Sequence, residues 1–417
     1  MAIKKIRVSN FKSFKDIEVE LGRFNVLIGP NASGKSNFIE IFRFIRDVAS
    51  HGLSNALSLQ GGIEFLRNVN IGSSRDFSMR IVYDMEIMSG VRKKKRLIGL
   101  KPYEITYEFA VNFANKGNFR ISKDNLTVNY EIFGVGDQDE DISQRNLENL
   151  GIGEITLSNV EGKIKFDLDL PKKVPIKEDD IFPSFLTELT LSPGALLLET
   201  PFFSAVPPFE NFLQDISIYD FDPKLPKKAV PITGKMELEE TGNNLAIVLK
   251  NIIDNKEKKR KFSNLIRDLL PFLDDVNVEK FMDKSLLLKS REMYAQTYLP
   301  ASLLSDGTIN ATALIIALYF EEKPLIIIEE PERNIHPFLI SRVMDMLKEA
   351  SEKKQIIVTT HNPEIVKYAD LENILLISRK KDGFSIISRP SEKEGVRTFL
   401  EHEIGIEELY IQNLLEV

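Results

Sequence analysis

The chain has 417 residues, 55 of them basic and 62 acidic, for a net charge of −7 at pH 7; it has no cysteine, no tryptophan and four histidines. Those counts exclude disulfides, thiolate metal sites and cysteine nucleophiles, and argue against a histidine-rich metal centre. With 43% hydrophobic and 28% charged residues, the composition is that of a globular chain with ample material for a core, in one large domain or two to three ordinary ones.

The opening residues Met1–Val8 leave no room for a charged region, an apolar run and a cleavage site, so no signal peptide is expected. The longest nearly apolar stretch, Ile309–Phe320, contains Asn310 and Thr312 and is too short to span a bilayer. A soluble, cytoplasmic protein without a membrane partner is expected. The net acidity argues mildly against a surface that grips nucleic acid everywhere, and leaves a local basic patch open.

In chain order, Ile3, Ile6 and Val8 predict a strand, Ile17, Val19 and Leu21 a second, and Phe24–Ile28 a third, more buried one. A glycine-rich turn follows, then a helix with Phe38, Ile41, Phe42, Ile45 and Val48 on one face. From about residue 77 to 170 an antiparallel meander is expected, with strands at Ile81–Tyr83, Ile105–Tyr107, Phe119–Ile121, Leu126–Ile132 and Ile164–Leu168. Its loops carry the turn Asn115–Asn118, the basic run Arg92–Arg96 and the acidic run Asp137–Asp141. Residues 171–231 hold ten of the 19 prolines and read as a linker or wrapping segment. A helical stretch from about Asn244 to Leu273 breaks near Asn255, and its spacing does not support a long coiled coil. The last part alternates: strand Pro324–Glu329, helix Phe338–Ser351, strand Gln355–Thr360, a short helix after Pro363, strand Asn373–Ser378. That alternation predicts βαβ units and a parallel sheet.

Four motifs carry chemistry. Gly29-Pro30-Asn31-Ala32-Ser33-Gly34-Lys35-Ser36 fits G-x-x-x-x-G-K-[ST], between a strand and an amphipathic helix. Its backbone N–H groups would cradle phosphates at a helix N-terminus, with Lys35 at the β- and γ-phosphates and the Ser36 hydroxyl on Mg²⁺. Leu325–Ile328 runs into Glu329-Glu330-Pro331-Glu332, an acidic strand end of the kind that holds Mg²⁺ and orients the attacking water. Ser305-Asp306-Gly307-Thr308 precedes an apolar helix, either as its cap or as a second phosphate contact through the Ser305 hydroxyl and Gly307 N–H, with Asp306 facing away. Ile356–Thr360 ends in His361, 31 residues after Glu330 and one βα unit on, so His361 is expected at the neighbouring strand end. A structural histidine is the alternative there.

Together these elements resemble the ATP-binding-cassette ATPase heads of the RecF and structural-maintenance-of-chromosomes (SMC) class, and most of all the standalone bacterial and archaeal ATPases related to the OLD-family head. The residues carrying the resemblance are Phe11–Phe14, Gly29–Ser36, Leu304–Thr308, Ile328–Pro337 and Thr359–Pro363, with weaker likeness at Asp220–Pro223 and Gly242–Leu245. The resemblance implies an α/β P-loop NTPase fold of the ABC-ATPase type, a mixed β core with an antiparallel β subdomain and a helical insertion. Its parts would be a first lobe at 1–170, a proline-rich and helical intervening region at 171–297, and a second lobe at 298–417, the two lobes forming one head.

It further implies nucleotide binding by Lys12, Ser13, Gly29, Asn31, Ala32, Ser33, Gly34, Lys35, Ser36 and Asn37, and Mg²⁺ binding by Ser36 and Glu329. Glu330 would be the catalytic base and His361 the γ-phosphate switch. Ser305 and Gly307 would contact the nucleotide of the opposite protomer, so that ATP drives homodimerisation. Glu329 stands where aspartate is usual, Ser-Asp-Gly-Thr replaces the transporter form of the signature, and the glutamine-loop residue is unplaced, with Gln60 and Gln214 as candidates.

The expected function is ATP hydrolysis driving a dimerisation switch that acts on double-stranded DNA or controls an effector, in repair, chromosome maintenance or anti-phage defence. The alternative is a nucleotide-binding scaffold or sensor with little turnover, assembling with a separate nuclease or toxin chain. The 56 residues after His361 are too few for an OLD-type nuclease domain, so a nuclease would be a separate protein. A GTPase is disfavoured because Asn115–Asn118 lacks the aspartate of N-K-x-D. DNA contact rests on Arg92–Arg96 and Lys256–Lys261, which read equally as solvated loops.

Overall fold

The apolar alternation of the first third of the chain builds an antiparallel sheet. In the computed structural model, which describes residues 1–85, 89–93, 96–113, 119–135, 147–181, 189–200, 209–282, 284–402 and 404–416, this sheet belongs to a unit made of Met1–Gly22, Ser36–Asp215 and Arg379–Ile386. Its strands lie in the order Phe14–Glu20, Ala2–Phe11, Phe77–Asp84, Arg96–Phe113, Phe119–Val135, Leu147–Val160, Lys163–Asp169. Val8 faces Ile17 on one side and Met79 on the other, so each strand turns its apolar set to the same face. Against that face lies the helix Lys35–His51. Phe11, Phe44, Phe77 and Phe109, all fully buried, form a chain of ring contacts with centroids 5.5–6.3 Å apart.

Two features of this sheet depart from the expected short strands. Phe119–Ile121 and Leu126–Ile132 are parts of one 17-residue strand, and Ile105–Tyr107 lies within an 18-residue one. The polar break between them, Ser122–Asn125, stays in the sheet because Asp124 is satisfied there. Its carboxylate accepts from the Tyr107 hydroxyl at 2.9 Å, Asn159 Nδ2 at 3.0 Å and the Leu197 N–H at 2.7 Å. Burial nevertheless pushes the Asp124 carboxyl up to about 6. Pro102 sits at a bulge, where a missing N–H is tolerated. The strand Leu147–Val160 lies inside the expected meander but is not among the strands named for it. A Cβ on Gly153 would lie 2.7 Å from Leu170 and 2.9 Å from Ile132, so the close approach of these strands requires glycine.

The second unit comprises Arg23–Lys35, Ile216–Ser378 and Ile387–Val417. Its sheet is parallel, in the order Ile216–Tyr219, Leu325–Glu329, Gln355–Thr360, Phe24–Ile28, Ile374–Arg379. Central strands of a parallel sheet are covered on both faces, which is why Phe24–Ile28, Leu325–Ile328 and Gln355–Thr360 are buried at every position. The helix Asp306–Tyr319 is buried nearly all round and packs into the same core. Ile216–Tyr219 corrects the reading of 171–231 as linker throughout: the alternating Ile-Ser-Ile-Tyr is an edge strand, and it leads directly into Asp220.

The helical stretch after Asn244 is two helices, Leu245–Asp254 and Lys256–Leu269, broken at Asn255, which caps the second by accepting from Glu257 N–H and Lys258 N–H at 3.0 Å each. A small antiparallel sheet follows from Leu273–Phe281 and Ser285–Glu292. Among the described residues, no helix is long and apolar enough to cross a membrane. The Asn115–Asn118 turn, the acidic run Asp137–Asp141 and Lys94–Lys95 of the basic run lie outside the described residues.

Candidate nucleotide site

The parallel sheet of the second unit presents the ends of four strands along one edge: Tyr219, Glu329, Thr360 and Ile28, in that order. Open parallel sheets bind ligands at the carboxyl ends of their strands. The His361 strand lies between the acidic strand and the phosphate-loop strand, with Glu329 beside Thr359 and Thr360 beside Ile28.

The loop after Ile28 has the geometry that phosphate binding needs. Gly34 has φ 119° and Ala32 φ 61°, both in the left-handed range. A Cβ on Gly29 would collide with the Ile377 carbonyl oxygen, so the first glycine is fixed by its neighbour strand. Gly29 N–H also faces the Tyr410 phenol oxygen. Lys35 Nζ bonds the carbonyls of Gly29 at 2.7 Å and Pro30 at 3.0 Å, curling the loop around its own ammonium. Burial lowers the Lys35 pKa, while the nearby Glu330 and Glu329 carboxylates pull it the other way. Ser33 is buried in the loop, and Asn31 is exposed.

Glu330 has φ 46°, uncommon for a residue with a side chain. Its N–H is held by the Thr359 carbonyl at 2.8 Å. Its carboxylate is gripped from two sides, Oε1 by His361 Nδ1 at 2.8 Å and Oε2 by Arg333 Nε at 3.1 Å. Glu332, two residues on, is buried and accepts from the Thr360 hydroxyl, whose oxygen in turn accepts from the Asn362 N–H at 2.8 Å. Burial raises the Glu332 pKa, as does the neighbouring Glu330 charge; the Thr360 hydroxyl works against that. Glu332, Thr360, Arg333 and Asp220 received no role from the sequence. All four lie inside stretches that carry the resemblance: Glu332 and Arg333 in Ile328–Pro337, Thr360 in Thr359–Pro363 and Asp220 in Asp220–Pro223.

The Ser305 hydroxyl caps the helix Asp306–Tyr319 by accepting from the Thr308 N–H at 3.1 Å. Asp306 is paired with Lys227 at 2.6 Å. Gly307 packs so closely on Asn334 that a Cβ would strike the Asn334 carbonyl oxygen.

In the first unit, Ser13 Oγ accepts from Asn37 Nδ2 and meets the Ser385 hydroxyl, both at 2.9 Å. Lys12 lies 3.7 Å from Glu40, which also takes a bond from Gln60 at 3.0 Å. The Gln214 amide donates to the Ala49 carbonyl at 2.7 Å. Ser36 is the second residue of the helix Lys35–His51, which also carries Asn37.

Residues 24–367 match the family described as "AAA domain, putative AbiEii toxin, Type IV TA system". The chain belongs to this AAA-domain family. The sheet edge presents a phosphate loop and an acidic strand end, and the chain is accordingly an α/β P-loop ATPase that uses ATP. One curated relative, an "ATP/GTP phosphatase" of Helicobacter pylori, is 19% identical over 96% of this chain and 98% of its own length. The "Chromosome partition protein Smc" of Methanocaldococcus jannaschii is 31% identical over 84 residues, 20% of this chain and 7% of that protein. Among solved structures, an Smc head bound to the C-winged helix domain of ScpA matches at 16% identity and TM-score 0.49, covering 93% of this chain and 97% of that one. The SMC head domain of Thermotoga maritima matches at 14% and 0.43, covering 93% and 99%.

Proposed function

We propose that this ATPase is a dimerisation switch of the SMC and RecF kind, with Glu330 as the general base and His361 as its partner. The observation that carries the reading is the 2.8 Å contact between Glu330 and His361 at the sheet edge that also bears Lys35. In hydrolysis, a water oxygen attacks the γ-phosphorus, a Glu330 oxygen takes the water proton, and the bond to the ADP oxygen breaks. Lys35 neutralises charge on the β- and γ-phosphates. Glu330 sits at a sparsely populated φ, a strain of the sort kept at functional positions.

The Ser36 hydroxyl and Glu329 carboxylate are hard oxygen donors of the kind Mg²⁺ takes, and the ion would supply charge neutralisation at the phosphate oxygens. Glu329 carries one methylene more than the aspartate that the resemblance leads one to expect, which moves its carboxylate relative to the aspartate position. Lys12, Ser13, Asn31, Ala32, Ser33, Gly34 and Asn37 complete the nucleotide contacts in this reading. Ser305 and Gly307 meet the nucleotide of a second copy, so that two ATP molecules are buried between protomers and hydrolysis releases them.

The relative named for chromosome partition favours double-stranded DNA as what the dimer acts on. The family description, with its toxin system, favours control of an effector protein. The relative named an ATP/GTP phosphatase supports nucleoside triphosphate hydrolysis and makes GTP the competitor substrate to assay.

Glu330→Gln tests the reading. The variant is expected to bind ATP, release phosphate at least ~100-fold more slowly and accumulate as a dimer in light scattering. Hydrolysis at the wild-type rate would remove Glu330 as the base. An ATP-bound Glu330→Gln protein that stays monomeric would remove the dimerisation switch.

A further inference from the structure

We infer that Arg333, clamped by Asp220, is the positioning residue that aims the Glu330 carboxylate. The inference rests on Glu330 being the base. Arg333 reaches two carboxylates at once, with Nε on Glu330 Oε2 at 3.1 Å and Nη1 on Asp220 Oδ1 at 2.7 Å. Nη1 also faces the Phe221 carbonyl at 3.3 Å. Because a guanidinium is planar and rigid, fixing one end of the fork fixes the direction of the other.

The backbone of Arg333 is fixed as well. Its N–H donates to the Glu330 carbonyl at 2.9 Å, and its own carbonyl accepts from Asn310 Nδ2 at 2.8 Å. Asn310 is buried in the helix that starts at Ser305. Three elements therefore meet on one residue: the edge strand that leads into Asp220 and the acidic strand on its side chain, and the Ser305 helix on its backbone carbonyl.

A stability role does not account for this construction. The Arg333 and Asp220 side chains are 37% and 47% exposed, and ion pairs that wet contribute little to folding. What the clamp does supply is direction. With Oε1 on His361 and Oε2 on Arg333, the carboxylate plane is held at both oxygens, while each oxygen keeps a lone pair for the water proton. A base displaced by about 1 Å loses on the order of 100-fold in rate, so a holder of this kind belongs in kcat.

The test compares Arg333→Met, Arg333→Lys, Asp220→Asn and the double variant Asp220→Asn/Arg333→Met. Steady-state phosphate release gives kcat and KM, and a fluorescent ATP analogue gives affinity. Arg333→Met is expected to lower kcat roughly 10- to 100-fold with ATP affinity within about twofold, and Arg333→Lys to recover part of that loss. Asp220→Asn should cost less, because the Phe221 carbonyl remains. The double variant should match Arg333→Met alone, since Asp220 acts through Arg333. An unchanged kcat in Arg333→Met, a loss confined to KM, or multiplying losses in the double variant would each overturn the inference. Glu330→Gln is assayed alongside: wild-type turnover there sinks the base itself, whatever the Arg333 variants do.

Discussion

Asp124 gives the sharpest test of how the first unit is held together. It is fully buried, and three donors converge on its carboxylate. Its folded pKa, about 6, lies above the ordinary aspartate value of 3.8 because burial penalises the charge. Below pH ~4 the group is protonated whether or not the chain is folded. Between ~4 and ~6 the unfolded chain gives up the proton and the folded chain keeps it, so stability falls as pH rises. At about 1.4 kcal/mol per pH unit, the full loss is about 3 kcal/mol by pH ~7.

Asp124→Asn cannot titrate. It carries a constant penalty, because its amide nitrogen faces other donors, but no slope. Urea unfolding at intervals from pH 4.5 to 7.5 gives the free energies of both proteins. Glu332, Glu321 and Asp47 also have raised pKa values, but they are common to both and drop out of the difference. The wild type minus variant difference should shrink by about 2 kcal/mol across that range, since about a third of the loss has already occurred by pH 4.5. A flat difference, or one that grows with pH, would refute the argument.

Two further substitutions probe the fold and the loop. Gly29→Ala puts a methyl against the Ile377 carbonyl, and overpacking of about 1–3 kcal/mol converts to ATP binding weakened roughly 10- to 100-fold; unchanged affinity in a fluorescence titration would contradict this. Asn255→Ala removes the acceptor for two N–H groups at the start of Lys256–Leu269, with an expected loss of about 1 kcal/mol in urea unfolding and no effect on ATP affinity.

The parallel sheet was legible because its strands are apolar runs joined by helices, and because Gly29–Ser36 and the acidic strand end each have one physical reading in that context. The neighbour relation of His361 and Glu330 followed from counting one βα unit between them, and Glu329 does pair with Thr359. What stayed hidden depended on partners far away in the chain. Asp124 reads as a turn residue until Leu197, 73 positions on, covers it. Gly153 gives no strand signal of its own, because its purpose, close strand approach, belongs to Ile132 and Leu170. Arg333 lies inside a motif that the sequence did reveal, but its partner Asp220 is 113 residues away, beyond a proline-rich stretch.

The strand order has a consequence for synthesis. Phe24–Ile28 leaves the ribosome early, yet both of its sheet neighbours, Gln355–Thr360 and Ile374–Arg379, are among the last strands made. Some 327 residues separate Ile28 from Gln355. At about 5–20 residues per second, the strand that bears the phosphate loop waits roughly 15–65 s without its partners. A nascent chain stopped anywhere between residues 36 and 355 thus carries a complete phosphate-loop sequence and a Phe24–Ile28 strand, apolar but for Asn25, without its sheet neighbours, the form in which a chaperone or a protease would meet it.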